Sequence, residues 1–309
     1  MSTDFEVVAA SCGLTSISEI EPLPAGLEND VCVLTTPRGR QVLRVSQQRS
    51  IRQVDAEVSF VSELRALGFK VAPRFLPLRG DHYVVPYENL VVSSYEYFEG
   101  SLLMHLSDDQ FRQVLQWMEL LIQAEQRISP SVLAARSAFP EPTSVAQRFA
   151  RLLERAEPTE IETSHLEQVS RFIPPGVIHA IHSDIHVKNL IWDSLGNLNG
   201  FIDFDDCCVG AQLIEFATFV RGACFAPVAD FKLHRLAQTW DVLQSHLFHG
   251  TARLGPEEIF TALLWSCMYF AVVVNRPRPH TGVPELKMQD ILRTQELIRQ
   301  RADILQILQ

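Results

Sequence analysis

The stretch that decides the fold is HAIHSDIHVKNLIWDSLGNLNGFIDFDD, residues 179–206. Within it, two short apolar runs, Leu190–Trp192 and Gly200–Ile202, flank the polar segment DSLGN. Apolar runs separated by Asp, Ser, Gly and Asn are typical of a β-hairpin. A hairpin at this place would bring Asp203, which follows the second strand, back beside Asn189, which precedes the first.

The polar side chains of this stretch suit phosphate and metal chemistry. Asp184 lies five residues before Asn189 in an irregular loop, and the predicted hairpin adds Asp203 to them. Mg²⁺ accepts carboxylate and amide oxygens, and it takes its other oxygens from water and from nucleotide phosphates. A carboxylate that binds no metal can orient a hydroxyl group and accept its proton. Phosphoryl transfer requires these components, because the protein mainly positions groups and neutralises charge in that reaction.

Two motifs carry a resemblance to a known family. HSDIHVKN (182–189) and IDFDD (202–206) resemble the aminoglycoside phosphotransferase and choline kinase-like family, whose members often read H-G-D-L-H-x-x-N and I-D-F-D-D. The resemblance implies an α+β, two-lobed protein-kinase-like fold with a small antiparallel-sheet N-lobe and a large, mainly helical C-lobe. It also implies transfer of the γ-phosphate of ATP to a hydroxyl of a small molecule. An aminoglycoside, an amino alcohol, a sugar and an amino acid all stay open as acceptors.

The resemblance also implies roles for single residues of the loop and the hairpin. Asp184 is implied as the catalytic base, and Asn189 and Asp203 are implied as the ligands of Mg²⁺. His182 is implied as a support of the loop. Asp205 is implied either as a further metal ligand or as a hydrogen-bond partner within the loop.

Two positions depart from the family pattern. Arg44, in the predicted strand Gln41–Val45, stands where kinases usually carry a lysine. The resemblance implies that it contacts the nucleotide phosphates while it pairs with Glu57 of the next helix, and a guanidinium can bridge a carboxylate and a phosphate. Glu215 stands where the family often carries an aspartate, and we expect it to brace the catalytic loop from a helix.

Two segments of the first third are assigned to the nucleotide by the same resemblance. Gly26 and Asn29 lie where the family has its phosphate-covering loop. Glu96 and Phe98 lie in the connector between the lobes, whose backbone is implied to hydrogen-bond the adenine.

The pattern of apolar residues changes near residue 97 from strands to helices. We therefore expect a nucleotide-binding lobe at residues 1–97 and, at 98–309, a lobe with the catalytic loop, the metal site and the acceptor-binding helices. The periodicities predict strands at 31–35, 41–45, 82–87 and 90–98, and helices at 50–67, 107–128, 144–157, 162–173, 212–223, 229–248, 256–274 and 287–308.

Composition excludes some partners. The net charge of −10, from 27 Lys and Arg against 37 Asp and Glu, comes without a basic stripe, so we expect no nucleic-acid binding.

The uncharged run 259–275 is shorter than the roughly 20 apolar residues that span a membrane, and it predicts a buried helix instead. The sequence does not start like a secretory leader, and its six cysteines show no C-x-x-C spacing. We therefore expect a cytoplasmic protein with reduced thiols. Nothing in the sequence indicates an oligomeric state.

Other functions stay open at this point. A non-catalytic nucleotide-binding module with the kinase shape would share most of these features. His179, His182, Asp184 and His186 could instead form a metal-dependent hydrolase site, since imidazoles with a carboxylate favour zinc or iron, but that function leaves Asn189 unused. A protein kinase is disfavoured, because no A-P-E motif follows the hairpin.

Overall fold

In the computed structural model, which describes residues 3–24, 29–136, 142–154, 161–174, 178–225, 230–247, 254–273 and 285–309, strands dominate the first hundred residues and helices the rest. The strands are β1 (Glu19–Pro22), β2 (Asn29–Thr36), β3 (Gly39–Ser46), β4 (Val84–Tyr87), β5 (Leu90–Glu96), β6 (Ser101–Leu102), β7 (Ile178–Ile181), β8 (Leu190–Trp192), β9 (Leu198–Phe201) and β10 (Cys208–Ala211). The helices are α1 (Phe5–Ser11), α2 (Ile51–Ala66), α3 (Asp108–Glu125), α4 (Pro142–Leu153), α5 (Thr163–Ser170), α6 (Gln212–Ala223), α7 (Leu233–Leu247), α8 (Pro256–Val273), α9 (Glu285–Arg299) and α10 (Arg301–Ile307).

The N-terminal sheet is antiparallel, with its described strands in the order β1-β2-β3-β5-β4. Side chains alternate between the two faces of a strand. On β3, Leu43 and Val45 therefore pack in the apolar cluster that includes Val8 and Ala9 of α1, while Arg44 points to the opposite face. On that face the Arg44 guanidinium reaches α2.

Helix α2 begins at a capping box. The Ser50 side chain accepts a hydrogen bond from the Gln53 N–H, and the Gln53 side chain accepts one from the Ser50 N–H at 2.9 Å. Such a cap stabilises a helix by about 1 kcal/mol. Val54, Val58 and Glu57 share the buried face of this helix, so the same periodicity that buries the apolar residues also buries a carboxylate.

The predicted catalytic loop, residues 182–189, lies between short strands. Strand β7 pairs with β10, and β8 pairs with β9 so that Leu190 lies opposite Phe201. Beyond this pair, the Ile202 N–H donates to the Asn189 carbonyl at 2.9 Å. The predicted hairpin is therefore confirmed, and it brings the residue after Ile202 beside Asn189. Strand β6 pairs with β8 as well, and a Cβ at Gly100 would lie 2.2 Å from a backbone oxygen of β8, so only glycine fits there.

Helix α8 forms part of the core of the helical region. Its side chains Phe260, Leu263 and Trp265 are at most 1% exposed. The uncharged run 259–275 is a core helix as predicted, as far as its described end at Val273. Within the part of the chain that the structure describes, no helix is long and apolar enough to cross a membrane.

The structure differs from the predicted elements mainly at boundaries. Helix α1 and strand β1 were not predicted, because a seven-residue helix and a four-residue strand are too short for a clear period. The predicted helix 287–308 is broken at Gln300 into α9 and α10. Strand β5 ends at Glu96, and the lobe boundary at 97/98 stays a prediction.

Candidate active site

Two buried glutamates hold the start of the catalytic loop from behind. The His182 N–H donates to Glu125 Oε1 at 3.0 Å, and the Ser183 N–H donates to Glu215 Oε2 at 2.6 Å. Both glutamates are 0% exposed. Glu215 therefore contacts the loop where the sequence led us to expect a brace. Ser183 has a left-handed φ of 71°, which explains why the family pattern favours glycine at this position.

The surroundings of these glutamates favour their neutral forms. Burial raises the pKa of Glu215 to about 8; the hydrogen bond from Ser183 partly offsets this and the charge of Asp184 adds to it. Burial and then repulsion by Glu215 raise the pKa of Glu125 well above its usual range. The loop is thus held by carboxyl groups that prefer to be protonated in the folded protein.

His182 joins the loop to the N-terminal helix α2. Its Nδ1 accepts a hydrogen bond from the Asp184 N–H at 3.3 Å, and its ring centroid lies 4.3 Å from that of Phe204. Phe204 in turn makes an edge contact with Phe60 of α2 at 6.4 Å. Burial lowers the pKa of His182 to about 4, so the imidazole is neutral near pH 7 and acts through packing and hydrogen bonding.

Asp184 is buried and ionised. Its Oδ1 lies 3.3 Å from Arg221 Nη2, and its Oδ2 lies 3.5 Å from His186 Nε2. Burial alone would raise the pKa of Asp184, but His186 and Arg221 outweigh burial and lower it to about 2. A carboxylate with so low a pKa orients a hydroxyl group rather than removing its proton in advance.

The two predicted metal ligands lie next to Asp184. Asn189 Nδ2 donates to the Asp184 carbonyl at 3.0 Å, which leaves Asn189 Oδ1 as the group available to a cation. Asp203 has a left-handed backbone, φ 65°, at the start of a 3-10 turn, and its side chain is exposed. Although it reaches solvent, partial desolvation and repulsion by Asp205, Asp184 and Asp206 raise its pKa well above the usual range.

This donor set fits Mg²⁺. Carboxylates that repel one another are stabilised by a divalent cation, and Mg²⁺ needs only one or two protein carboxylates when phosphates supply further oxygens.

Among the described residues, no three His, Cys, Asp or Glu side chains form a group that could hold a metal by themselves. The hydrolase site of His179, His182, Asp184 and His186 is therefore not formed, because all four residues are described.

Arg44 is the centre of a buried ionic cluster. Its Nη1 donates to Glu57 Oε1 at 2.7 Å and also to Asp205 Oδ1, and its Nε donates to Ser93 Oγ at 3.2 Å. Arg49 Nη1 lies 3.5 Å from Glu57 and from Asp205. The pair of Arg44 and Glu57 thus forms, and it connects β3 and α2 to the segment after the hairpin. Contact of either residue with a nucleotide stays a prediction.

Asp205 has several partners within the protein. Asn29 Nδ2 donates to its side chain, and Ser46 Oγ donates to Asn29 Oδ1 at 2.7 Å. Arg136 donates to the Asp205 carbonyl and, at 2.9 Å, to that of Cys207. The structure thus shows Asp205 as a hydrogen-bond and ion-pair partner, and its contact with a metal stays a prediction.

The remaining predicted nucleotide residues differ in what the structure says of them. Gly26 lies outside the described residues. The Glu96 N–H donates to the Arg74 carbonyl at 2.9 Å, and Arg74 Nε donates to Glu96 Oε2 at 3.2 Å. The Phe98 ring lies against Gly200, where an added Cβ would come within 2.7 Å of it. The roles of Glu96 and Phe98 at an adenine stay predictions.

Several site residues were missed by sequence reasoning. Glu125, Arg136, Arg221 and Asp290 all contact the loop, the hairpin segment or one another, yet they lie far from these motifs in sequence. One signal was available: Arg221 is the only charged residue in the apolar run FATFVRGACF, and buried arginines require partners.

The structure combines an antiparallel sheet, a helical region and, between β7 and β10, a loop and hairpin that carry Asp184, Asn189 and Asp203. The sequence profile of the phosphotransferase enzyme family matches residues 19–246, and the chain belongs to this family.

Solved structures of similar fold cover almost the whole chain. The GDP complex of wild-type aminoglycoside 2'-phosphotransferase-IIIa is 12% identical, covers 96% of this chain and 97% of its own, and has a TM-score of 0.64. Spectinomycin phosphotransferase in complex with ADP and spectinomycin is 9% identical, with coverages of 98% and 97% and a TM-score of 0.63. A microcompartment-associated aminopropanol kinase is 18% identical, with coverages of 98% and 100% and a TM-score of 0.61. No curated protein sequence matches the chain significantly.

Proposed function

We propose that this protein transfers the γ-phosphate of ATP to a hydroxyl group of a small molecule, with Asp184 as the residue that orients the hydroxyl. The observation that carries the proposal is the position of Asp184: an ionised carboxylate whose backbone carbonyl accepts a hydrogen bond from Asn189, at the base of the hairpin that brings Asp203 beside Asn189. Membership of the phosphotransferase family supports it.

The proposed reaction is an in-line displacement. The acceptor hydroxyl donates a hydrogen bond to Asp184, and its oxygen forms a bond to the γ-phosphorus while the bond from that phosphorus to the leaving oxygen of ADP breaks. The hydroxyl proton passes to Asp184 as the new bond forms and then leaves to solvent. Mg²⁺ held by Asn189 and Asp203 would offset the negative charge of the phosphate oxygens.

The Arg44 cluster supports a phosphate contact on the nucleotide side. Arg44 Nη2 is buried and has no hydrogen-bond partner among the described residues. A phosphate oxygen would satisfy it, and Glu57 and Asp205 would keep the guanidinium in place. Asn29 is held close to the same cluster by its hydrogen bond to Asp205. The backbone near Glu96 and Phe98 is proposed to bind the adenine, in line with the ADP and GDP complexes of the similar structures.

The acceptor is proposed to be a small hydroxylated molecule. The similar structures include enzymes named for aminopropanol, spectinomycin and aminoglycosides, which share a hydroxyl group on a small polar molecule. The site described here favours none of these over a sugar or an amino acid.

The test is nucleotide consumption by the full chain. ATP and GTP, each with Mg²⁺, would be incubated with 1-amino-2-propanol, choline, homoserine, glucose, kanamycin and spectinomycin as separate acceptors. We expect at least one acceptor to accelerate consumption, and Asp184→Ala to reduce that rate by about 10³-fold or more while ADP affinity is kept. Near-normal turnover by Asp184→Ala would overturn the role of Asp184.

The metal assignment has its own measurement. In calorimetric titrations, Asp203→Ala should lose the Mg²⁺ dependence of ATP affinity, because it removes one of two protein ligands. An affinity for ATP that is independent of Mg²⁺ in the unaltered protein would contradict the assignment. Nucleotide binding without turnover on any acceptor would favour the non-catalytic module instead.

A further inference from the structure

Arg221 joins the catalytic loop to the last third of the chain. It lies in the final turns of α6 and is 6% exposed. Its Nη2 lies 3.3 Å from Asp184 Oδ1, and its Nη1 lies 3.3 Å from Asp290 Oδ1 on α9. The guanidinium carbon lies 3.4 Å from the centroid of the Phe270 ring on α8. Side chains from three helices therefore meet at the residue that touches Asp184.

Asp290 is itself held in place. Arg293 Nη1 donates to the same Oδ1 at 2.9 Å, and Thr294 Oγ1 donates to the Asp290 carbonyl at 2.7 Å. Asp290 is 7% exposed, so the pair of Asp290 and Arg221 is shielded from competing water. A guanidinium with a carboxylate at one nitrogen and an aromatic ring at its face has little rotational freedom.

A fixed Arg221 decides which oxygen of Asp184 faces an acceptor. Arg221 occupies Oδ1, which leaves Oδ2 for the hydroxyl group. Among the described ion-pair partners, only His186 lies near Oδ2: its Nε2 is 3.5 Å from that oxygen. The side chain of His186 is 26% exposed. The partly exposed imidazole of His186 can give way to a ligand more easily than a buried arginine between two carboxylates can.

We propose that Arg221 is a positioning residue for Asp184 and that Asp290 is its anchor, so that helix α9 sets the direction of the reactive carboxylate oxygen. This inference rests on the proposed function of Asp184. It implies that the helices after the hairpin, which were expected to bind the acceptor, also orient the residue that receives its proton.

The variants are chosen to separate positioning from folding. Arg221→Met removes both bridges, Arg221→Lys keeps the charge but cannot span both carboxylates, and Asp290→Asn weakens the anchor only. Arg235→Lys is the matched control: Arg235 is 5% exposed, donates to the carbonyls of Leu106 and Ala223, and lies 5.0 Å from the Phe111 ring, without contact to Asp184.

The experiment measures kcat, KM for ATP and Tm for each variant, with the best acceptor from the panel above. We expect Arg221→Met to lower kcat by about 10²-fold, and Arg221→Lys and Asp290→Asn by about tenfold, with KM for ATP changed less than about threefold. Arg235→Lys should lower Tm by as much as Arg221→Lys but change kcat less than about twofold. Adding Asp290→Asn to Arg221→Met should cause no further loss of kcat, because Asp290 acts through Arg221.

The failures are distinguishable. If the unaltered protein turns over and Asp184→Asn is inactive, but the Arg221 variants lose no more kcat than Arg235→Lys, the positioning role is wrong and the proposed function stands. If Asp184→Asn is fully active, or no acceptor supports turnover, the proposed function and this inference fail together. If Asp290→Asn lowers kcat by the same factor in the unaltered protein and in Arg221→Met, Asp290 does not act through Arg221 and its role as an anchor is wrong.

Discussion

Arg44 and Arg221 are both buried arginines that bridge two carboxylates, but they join different parts of the molecule. Arg44 connects Glu57 of the N-terminal helix α2 to Asp205 after the hairpin, whereas Arg221 connects Asp184 in the catalytic loop to the α9 carboxylate. The two ends of the same loop-and-hairpin segment are thus held by different regions of the chain. One arginine holds the segment to the sheet and the other holds it to the C-terminal helices.

The two clusters also differ in how they share charge. Arg49 lies 3.5 Å from both carboxylates of the Arg44 cluster, so two guanidinium groups serve one pair of carboxylates there. Arg221 is packed on an aromatic ring at 3.4 Å, whereas Arg44 lies 5.9 Å from the nearest ring that it faces, that of Phe75. The Arg44 cluster is therefore mainly an ionic connection, and the Arg221 cluster combines ionic and stacking contacts.

The largest effect is expected from breaking the Arg44 cluster. Arg44→Met should lower the free energy of unfolding by about 3–5 kcal/mol, because it leaves the buried carboxylates of Glu57 and Asp205 with Arg49 alone, whose Nη1 lies 3.5 Å from each. Denaturant unfolding measures this loss. Arg40→Met on the same strand is the matched control, since the partly exposed Arg40 pairs with Glu21 at the surface and should lose no more than about 1 kcal/mol. If Arg44→Met and Arg40→Met lose the same free energy of unfolding, the buried ion pairs of Arg44 stabilise the protein no more than the surface pair of Arg40 does.

A smaller, pH-dependent effect is expected on the α6 side. Glu215 of α6 has a pKa of about 8 in the folded protein, while in the unfolded chain it ionises near its ordinary value of 4.5. Between these values the unfolded chain binds fewer protons at Glu215, so the contribution of Glu215 to stability is present at low pH and falls by about 2–4 kcal/mol as pH rises from about 5 to about 8. Unfolding of Glu215→Gln across this range should show a weaker decline, because the amide stays neutral.

The control for this prediction lies in the neighbouring carboxyl group. Glu125 also has a raised pKa, so adding Glu125→Gln to Glu215→Gln should weaken the decline of stability with pH further. An unchanged slope in the double variant would contradict the buried, neutral state of both glutamates.

The smallest effect is expected where the loop between the two clusters is strained. Ser183→Gly relieves a left-handed conformation at a cost of one hydrogen bond, from Ser183 Oγ to the Asp206 carbonyl at 2.6 Å. Each term is about 1 kcal/mol and they oppose, so stability should change by less than about 1 kcal/mol. Thermal unfolding measures this change. A loss of stability well above about 1 kcal/mol would show that the hydrogen bond of the Ser183 hydroxyl stabilises the loop by more than the left-handed backbone destabilises it.

Local patterns in the sequence determined a large part of this protein. The hairpin with Asn189 and Asp203 at its base follows from alternation and turn residues within a few positions, and helix α2 with Glu57 follows from a capping box and a helical period. The pair of Arg44 and Glu57 was implied by the resemblance to the family rather than by local periodicity, and the structure shows that it forms.

Only the tertiary structure decided which side chains hold the predicted catalytic loop. Arg221 and Asp290 lie 37 and 106 residues after Asp184, on helices α6 and α9. Glu125 lies 57 residues before His182, on helix α3. Periodicity reveals which face of a helix is buried, but it does not reveal which distant buried charge that face meets. Such pairings depend on how whole helices pack around the core, and the partner that satisfies a buried charge is therefore decided only when the chain is folded.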